Sequence, residues 1–165
     1  MIEAQLLNKI FIFQDLEEGE LERVLKLAIP HFYAQGEVII TEGEPGDSLF
    51  IMVEGEVEVT KRLTLILDKD TPKEKLMVRL KAEDGVSFGE MALLEEEVRS
   101  ATVTAVTNCR LLALSREPFL EFIQQNSVTG LKIMIRLAQL LCRHLRKTNQ
   151  DVVKLTTALA VSLGG

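Results

Sequence analysis

Residues 88–94 read Phe-Gly-Glu-Met-Ala-Leu-Leu, and residues 99–103 read Arg-Ser-Ala-Thr-Val. Gly89 permits a tight turn or a close approach of the backbone to a ligand, because glycine has no Cβ. The residues after it are predicted to form one short helical turn whose first N–H groups face an anion. Arg99 adds a permanent positive charge that suits a single phosphate. Glu90 would repel that phosphate unless it binds a hydroxyl, and a ribose 2′-OH is the expected donor.

Short apolar segments separated by Gly, Asp and Asn turns surround this stretch and predict a β-rich region. The predicted strands cover residues 37–41, 49–53, 57–67, 76–80, 102–106 and 110–114. Residues 60–75 are interpreted as an extended hairpin. Many short strands at this spacing indicate an antiparallel sandwich or barrel, often a jelly roll.

Helices are predicted on both sides of the strands. Asp15 is the expected cap of a helix over residues 16–28, which Pro30 ends. Ser115 is the expected N-cap of a short helix that runs to about residue 125.

One long helix is predicted for about residues 129–160, after a break at Asn126 and Ser127. We interpret residues 1–165 as a single domain. Its residues 8–127 comprise the N-terminal helix, the barrel and the short helix, and its residues 128–160 form the long helix.

The long helix carries a heptad seam. Its members are Met134, Ala138, Leu141, Leu145, Thr148, Val152, Leu155 and Leu159. This pattern predicts a homodimer through the helix, while Ile133, Leu137 and Leu140 give the first half another apolar face, which can cover the barrel. The alternative is a single amphipathic helix that folds only onto its own domain.

Composition restricts the function classes. The net charge is −6, although residues 128–165 carry six basic and one acidic side chain. The acidic body disfavours broad nucleic-acid binding, and no direct DNA binding is expected. Neither a membrane span nor a signal peptide is recognised, so a cytoplasmic protein without membrane association is expected.

The cysteines and histidines are too few for a metal site. Cys109 and Cys142 lie in no metal-ligand spacing and are expected to be buried apolar residues. Only two histidines, His31 and His144, are present. No cofactor is therefore expected.

Residues 88–101 closely resemble the phosphate-binding cassette of the cyclic-nucleotide-binding domain family, which reads Phe-Gly-Glu-apolar-Ala-Leu, a variable loop, then Arg-small-Ala. The resemblance extends from about Leu7 to about Asn149. Val98 departs from it, because proline is usual there, and this change is expected to loosen the loop. The resemblance implies a mainly β fold with flanking helices: a double-stranded β-helix (jelly-roll) barrel with an N-terminal helix and a long C-terminal helix.

The same resemblance implies a cyclic nucleotide as the ligand, with cAMP favoured over cGMP. It also implies a role for each site residue. Glu90 would accept from the ribose 2′-OH and Arg99 would pair with the exocyclic phosphate oxygens. Gly89 would contact the ribose side, and N–H groups near Ala92 and Ser100 would complete the cradle. The full expected set is Gly89, Glu90, Met91, Ala92, Arg99, Ser100, Ala101, Thr148 and Asn149. The last two fall where the bacterial catabolite-activator branch places polar residues against adenine, one of them from the other subunit.

Two other interpretations remain open at this point. Glu90 and Arg99 form a structural ion pair if the domain binds no nucleotide and acts only as a dimerisation or adaptor module. Residues 85–89, Gly-Val-Ser-Phe-Gly, match the Gly-x-Ser-x-Gly elbow of hydrolases, but the surrounding strands are too short for that fold. We expect a cyclic-nucleotide sensor, not an enzyme, that signals through its long helix to a downstream protein the sequence does not identify.

Overall fold

Two antiparallel four-stranded sheets form the centre of the computed structural model, which describes residues 6–62 and 74–163. Their strand orders are β1-β8-β3-β6 and β2-β7-β4-β5. The strands are β1 (Ile29–Tyr33), β2 (Val38–Ile40), β3 (Ser48–Glu54), β4 (Glu56–Arg62), β5 (Glu74–Lys81), β6 (Ser87–Phe88), β7 (Thr102–Ala105) and β8 (Cys109–Ser115). The predicted mainly β jelly roll is confirmed, but the two sheets do not close into a barrel.

The central strand β3 is buried on both faces, which explains its continuous apolar run. Leu49 and Ile51 pack into the cluster formed with the helices, whereas Phe50 and Met52 pack between the two sheets. Successive side chains of a strand point to opposite faces, so one strand supplies both clusters. β8 alternates in the same way. The first sheet therefore supports the helices on one face and the interior of the sandwich on the other.

Three helices flank the sheets: α1 (Glu18–Leu25), α2 (Arg116–Gln125) and α3 (Ser127–Leu163). Single 3₁₀ turns cover Phe11–Phe13, Ala82–Asp84 and Glu90–Leu93. Ser115 occupies the N-cap of α2 as predicted, although its side chain makes no capping hydrogen bond.

The predicted start of the first helix was wrong. Glu17 caps α1 through a capping box with Glu20, and the helix ends at Leu25, well before Pro30. Asp15 instead accepts two hydrogen bonds of 2.6 Å from Arg136 of α3. A long-range ion pair therefore uses the carboxylate that the sequence assigned to a local cap.

All six predicted strands are present, but the described residues form eight, because the strands β1 and β6 were not predicted. Ile29–Tyr33 forms an additional strand, β1, that pairs with β8 at the edge of its sheet. An edge position tolerates Pro30, because the missing N–H is not needed by a second neighbour. The predicted hairpin tip falls on residues 63–73, which lie outside the described residues. The flanking strands β4 and β5 do pair antiparallel.

The long helix α3 divides into two halves. In its first half Ile133 and Leu137 are fully buried in the helix-facing cluster, as predicted. Every residue from 142 to 163 is exposed. Cys109 is buried as expected, but Cys142 is exposed, which corrects its predicted burial. The cause is that the helix has passed the end of its own core by residue 142.

No helix within residues 6–62 and 74–163 combines the length and the apolar character needed to cross a membrane. The same part of the chain holds no group of three or more His, Cys, Asp or Glu side chains placed to bind a metal ion.

Candidate functional site

The turn predicted after Gly89 is present as the 3₁₀ turn Glu90–Leu93. Gly89 precedes it with φ of +80°, a left-handed conformation that favours glycine. The short strand β6 (Ser87–Phe88) pairs with β3 just before the turn and fixes its position. Strand pairing and a left-handed glycine together aim the start of this turn at the space in front of Arg99.

The backbone around Arg99 is held from both sides. Its N–H donates to the carbonyl oxygen of Glu44 at 2.8 Å, and its own carbonyl oxygen accepts from the N–H of Gly43 at 2.9 Å. Val98 forms an isolated antiparallel bridge with Pro45. The turn at residues 43–45 thus contacts this loop at Val98 and Arg99, and the expectation that Val98 loosens the loop stays a prediction.

The side chain of Arg99 lies in a slot between two glycines. A Cβ on Gly46 would lie 2.0 Å from its Nε, and a Cβ on Gly89 would lie 2.9 Å from its Nη1. The guanidinium carbon is 6.0 Å from the centre of the Phe50 ring, at the outer limit of a cation–π contact. Glycine at both positions lets the backbone approach the guanidinium closely, which fixes where the positive charge points.

One nitrogen of Arg99 is unsatisfied. Nη1 is buried and has no hydrogen-bond partner among the described residues. Burial lowers the pKa of Arg99 from its usual value, and nearby Asp47 only partly opposes that effect. A buried donor without an acceptor costs about 1–3 kcal/mol and more when it is charged. The site therefore contains a positively charged donor that lacks an acceptor, and an anionic acceptor would form the strongest hydrogen bond with it.

Glu90 lies at the other side of the cleft and is in contact with α3. Its side chain is 12% exposed, and its Oε1 is 3.2 Å from Nδ1 of His144. The described structure thus pairs Glu90 with His144 rather than with Arg99. The carboxylate is nearly covered by protein but remains part of the cleft wall.

The cleft brings together most of the predicted site residues. Its lining consists of Gly89, Glu90, Met91, Ala92, Glu95, Glu97, Val98, Arg99 and Ser100. Ala101 follows this segment but is not part of the lining. Thr148 and Asn149 also lie outside it, exposed on α3 one turn beyond His144. The N–H of Ala92, expected in the cradle, donates to the Gly89 carbonyl oxygen at 3.2 Å.

Sequence reasoning missed several residues that shape the cleft. Glu95 and Glu97 were treated only as a variable loop, yet both line it. Nothing in the sequence pairs Gly46 with Arg99. His144 was named as one of the two histidines that are too few for a metal site. The acidic run beside the arginine was the one available signal for the two glutamates.

The hydrolase-like motif does not form an elbow. Ser87 belongs to the two-residue strand β6, and a four-residue 3₁₀ turn follows it instead of a long helix. A nucleophile elbow requires a strand, a sharp turn at the serine and then a helix. The serine therefore lacks the local geometry of that class of enzymes.

Comparison with known proteins points to one family. The model of the cyclic nucleotide-binding domain matches residues 30–126. A CRP-like cAMP-activated global transcriptional regulator of Mycobacterium tuberculosis is 26% identical over 151 residues, covering 92% of this chain and 62% of that protein. A cGMP-dependent protein kinase of Caenorhabditis elegans is 35% identical over 120 residues, covering 70% of this chain and 14% of the kinase.

Among solved structures, the catabolite activator protein of Thermus thermophilus superimposes with a TM-score of 0.76 at 30% identity, covering 88% of this chain and 62% of that one. The chain thus spans less than two thirds of the length of these relatives. Residues 30–126, which the family model matches, include the turn after Gly89 and the loop that carries Arg99.

Proposed function

The chain belongs to the cyclic nucleotide-binding domain family, and we propose that it is a sensor that binds a cyclic nucleoside monophosphate without catalysing a reaction. The observation that carries this proposal is the buried Nη1 of Arg99, which has no partner among the described residues. A phosphate oxygen in the cleft supplies the missing acceptor and forms a charge-assisted hydrogen bond, the stronger class of such bonds.

The remaining lining fits one phosphate joined to a ribose. Glu90 and Glu97 repel an anion with several free charges, whereas a cyclic monophosphate carries a single negative charge. A carboxylate accepts hydrogen bonds only, so Glu90 suits the ribose 2′-OH.

We favour cAMP over cGMP as the ligand. The relatives whose names specify a nucleotide include both a cAMP-activated regulator and a cGMP-dependent kinase. The regulator is matched over more of this chain, including most of α3. Thr148 and Asn149 on that helix offer a hydroxyl and an amide oxygen, which are suitable acceptors for the adenine amino group.

In this proposal the signal leaves the site through α3. The exposed seam of that helix packs against α3 of a second copy of the chain. Leu145, Val152, Leu155 and Leu159 of the heptad seam are exposed. They continue past the last buried turn of the helix, so the domain itself does not cover them. Charged substitution of Leu141 and Leu145 together should give a monomer by sedimentation. A wild-type monomer at high concentration, with and without cAMP, contradicts the dimer.

Thr148 connects the two parts of the proposal. Thr148→Val is expected to weaken cAMP binding by about 1 kcal/mol, the size of one neutral hydrogen bond. The dimer should persist or tighten, because the seam becomes more apolar. If cAMP affinity is unchanged while the dimer tightens, Thr148 only sets the helix register.

Calorimetric titration with cAMP, cGMP, 2′-deoxy-cAMP and linear AMP tests the central claim. We expect saturable binding of a cyclic nucleotide, tighter for cAMP, and weaker binding of the 2′-deoxy ligand. Glu90→Ala should lose about 1.5–3 kcal/mol and the preference for the 2′-OH. Absence of binding heat and of any ligand-induced rise in melting temperature for both cyclic nucleotides would leave an adaptor module as the interpretation.

A further inference from the structure

The contact between His144 and Glu90 lies at the point where α3 leaves the core of the domain. All residues from 142 to 163 are exposed, yet the His144 Nδ1 lies 3.2 Å from the Glu90 Oε1. The histidine side chain is 55% exposed and the glutamate side chain 12%. Glu90 also lines the cleft, so a ligand bound there would further cover the carboxylate that contacts His144.

Charges of both signs surround this contact. Glu90, Glu95 and Glu97 line the cleft together with Arg99. On α3 itself, Arg143 points to the Phe11 ring, with its guanidinium carbon 4.0 Å from the ring centre. Arg146 and Lys147 follow His144 within about one turn of the same helix. Histidine is the side chain that ordinarily changes charge between pH 5 and 8, and His144 is the histidine that contacts Glu90.

We propose that His144 makes nucleotide binding proton-linked, so that the protonated imidazole pairs with Glu90 and favours the bound state. This inference rests on the proposed function. A cyclic phosphate brings a fixed negative charge to a wall that already holds carboxylates. With His144 neutral, the ligand must cover Glu90 uncompensated; with His144 protonated, the covered pair is neutral and the positive charge also attracts the phosphate.

Binding therefore takes up protons, and by linkage the affinity is higher where His144 is protonated before the ligand arrives. The same coupling strengthens the contact between α3 and the turn Glu90–Leu93 when nucleotide is bound. Low pH and ligand then favour the same arrangement of the helix. The arrangement of the exposed half of α3 then responds to pH as well as to the nucleotide.

The test is calorimetric titration of the full chain with cAMP at pH 6 and pH 8, in two buffers of different ionisation enthalpy. We expect affinity about three- to tenfold tighter at pH 6, the effect of one added charge a few ångströms from an anion in a partly exposed site. The two buffers should reveal net proton uptake on binding. Equal affinity at both pH values without proton uptake overturns the proposal.

Three variants identify the responsible group. His144→Gln should bind cAMP with the same affinity at both pH values, and His144→Lys should bind tightly at both because its charge is constant. His31→Gln is the matched control, since His31 is the chain's other histidine and lies in β1. His31→Gln should retain the pH dependence of cAMP affinity. If His144→Gln retains that pH dependence in full, or if His31→Gln loses it, another group is responsible and the proposal is overturned.

The outcomes separate this proposal from the one on which it rests. If no cyclic nucleotide binds at either pH, the proposed function is wrong and the linkage is wrong with it. If cAMP binds equally at both pH values, only the role of His144 is wrong. Circular dichroism of each variant at both pH values confirms that folded protein is being compared.

Discussion

Two charged side chains, the buried Glu20 and the half-buried Arg99, have opposite environments in this fold. Glu20 accepts hydrogen bonds from the Glu17 N–H at 2.9 Å, from the Thr129 hydroxyl at 2.7 Å and from the Lys132 ammonium at 2.7 Å. Arg99 has one buried nitrogen with no partner among the described residues. The first charge joins α1 to α3, whereas the second lines the cleft.

The pKa directions show the same contrast. Burial alone would raise the pKa of Glu20, but the hydrogen bonds from Lys132, Thr129 and the Glu17 N–H outweigh it and lower that pKa to about 2. For Arg99 burial is the main effect, and it lowers the pKa of the guanidinium. The protein thus stabilises the charged form of Glu20 and disfavours the charged form of Arg99.

The difference separates stability from function. A buried charge with all its hydrogen bonds made contributes to the scaffold, and removing one partner is strongly destabilising. A buried charge with an open donor costs stability until a ligand supplies the acceptor. Glu20 is therefore a structural residue, whereas Arg99 is the residue that we propose binds the ligand.

Replacing Arg99 by methionine is the largest expected effect. Arg99→Met should weaken cAMP binding by about 2–5 kcal/mol, at least about thirtyfold, because the phosphate loses its charged partner. The free energy of unfolding without ligand should be unchanged or slightly higher, since an unsatisfied buried charge is removed. Calorimetry and urea unfolding measure the two quantities.

Arg79→Met is the matched control for that variant, because Arg79 is an exposed residue of β5 that pairs with Glu56 and Glu58. Its cAMP affinity should stay within about twofold of wild type, since a distant exposed charge is well screened. Wild-type affinity in Arg99→Met would contradict the cassette assignment.

Glu20→Ala should reverse the pattern seen for Arg99. We expect a loss of about 2–4 kcal/mol in the free energy of unfolding, because the Thr129 hydroxyl and Lys132 lose their acceptor in a buried position. Affinity for cAMP should change little. Glu22→Ala, on the exposed side of the same helix, is the control. A loss below about 1 kcal/mol in Glu20→Ala would show that the network is dispensable.

Acid should weaken the scaffold through the same carboxylate. Since the pKa of Glu20 falls to about 2 on folding, its contribution is complete above the unfolded pKa of about 4.3 and is lost as the pH falls toward 2. The difference in unfolding free energy between wild type and Glu20→Gln should therefore narrow by about 2 kcal/mol between pH 6 and pH 2.5. A constant difference across that range would assign acid sensitivity to other carboxylates.

Gly46→Ala has the smallest expected effect. A Cβ there would lie 2.0 Å from the Arg99 Nε, so the arginine side chain must move out of its slot. We expect about tenfold weaker cAMP binding, or about 1.4 kcal/mol, with little change in stability because a flexible side chain yields. Gly19→Ala is the control, since a Cβ there meets no atom within 4 Å. Unchanged affinity in Gly46→Ala would show that Arg99 reaches the ligand from other positions.

The parts that could be predicted from the sequence are those governed by neighbouring residues. The turn after Gly89 follows from one contiguous motif, and the buried face of α3 follows from the spacing of Ile133 and Leu137. Local chemistry also suggested Asp15 as a helix cap, which was wrong because Arg136, more than a hundred positions away, takes that carboxylate. A local sequence pattern does not show whether a distant residue competes for the same carboxylate.

Contiguous residues 88–101 and the apolar periodicity thus determined that the chain is a mainly β domain with a cleft beside Arg99 and a long helix. Tertiary structure alone decided which groups complete that cleft. Gly46 meets Arg99 because the Pro45–Val98 bridge joins two loops. His144 meets Glu90 because the packing of Ile133 and Leu137 sets the direction in which α3 leaves the core. Such contacts depend on how separate elements pack against one another. The spacing of residues along the chain does not determine how closely two such elements approach.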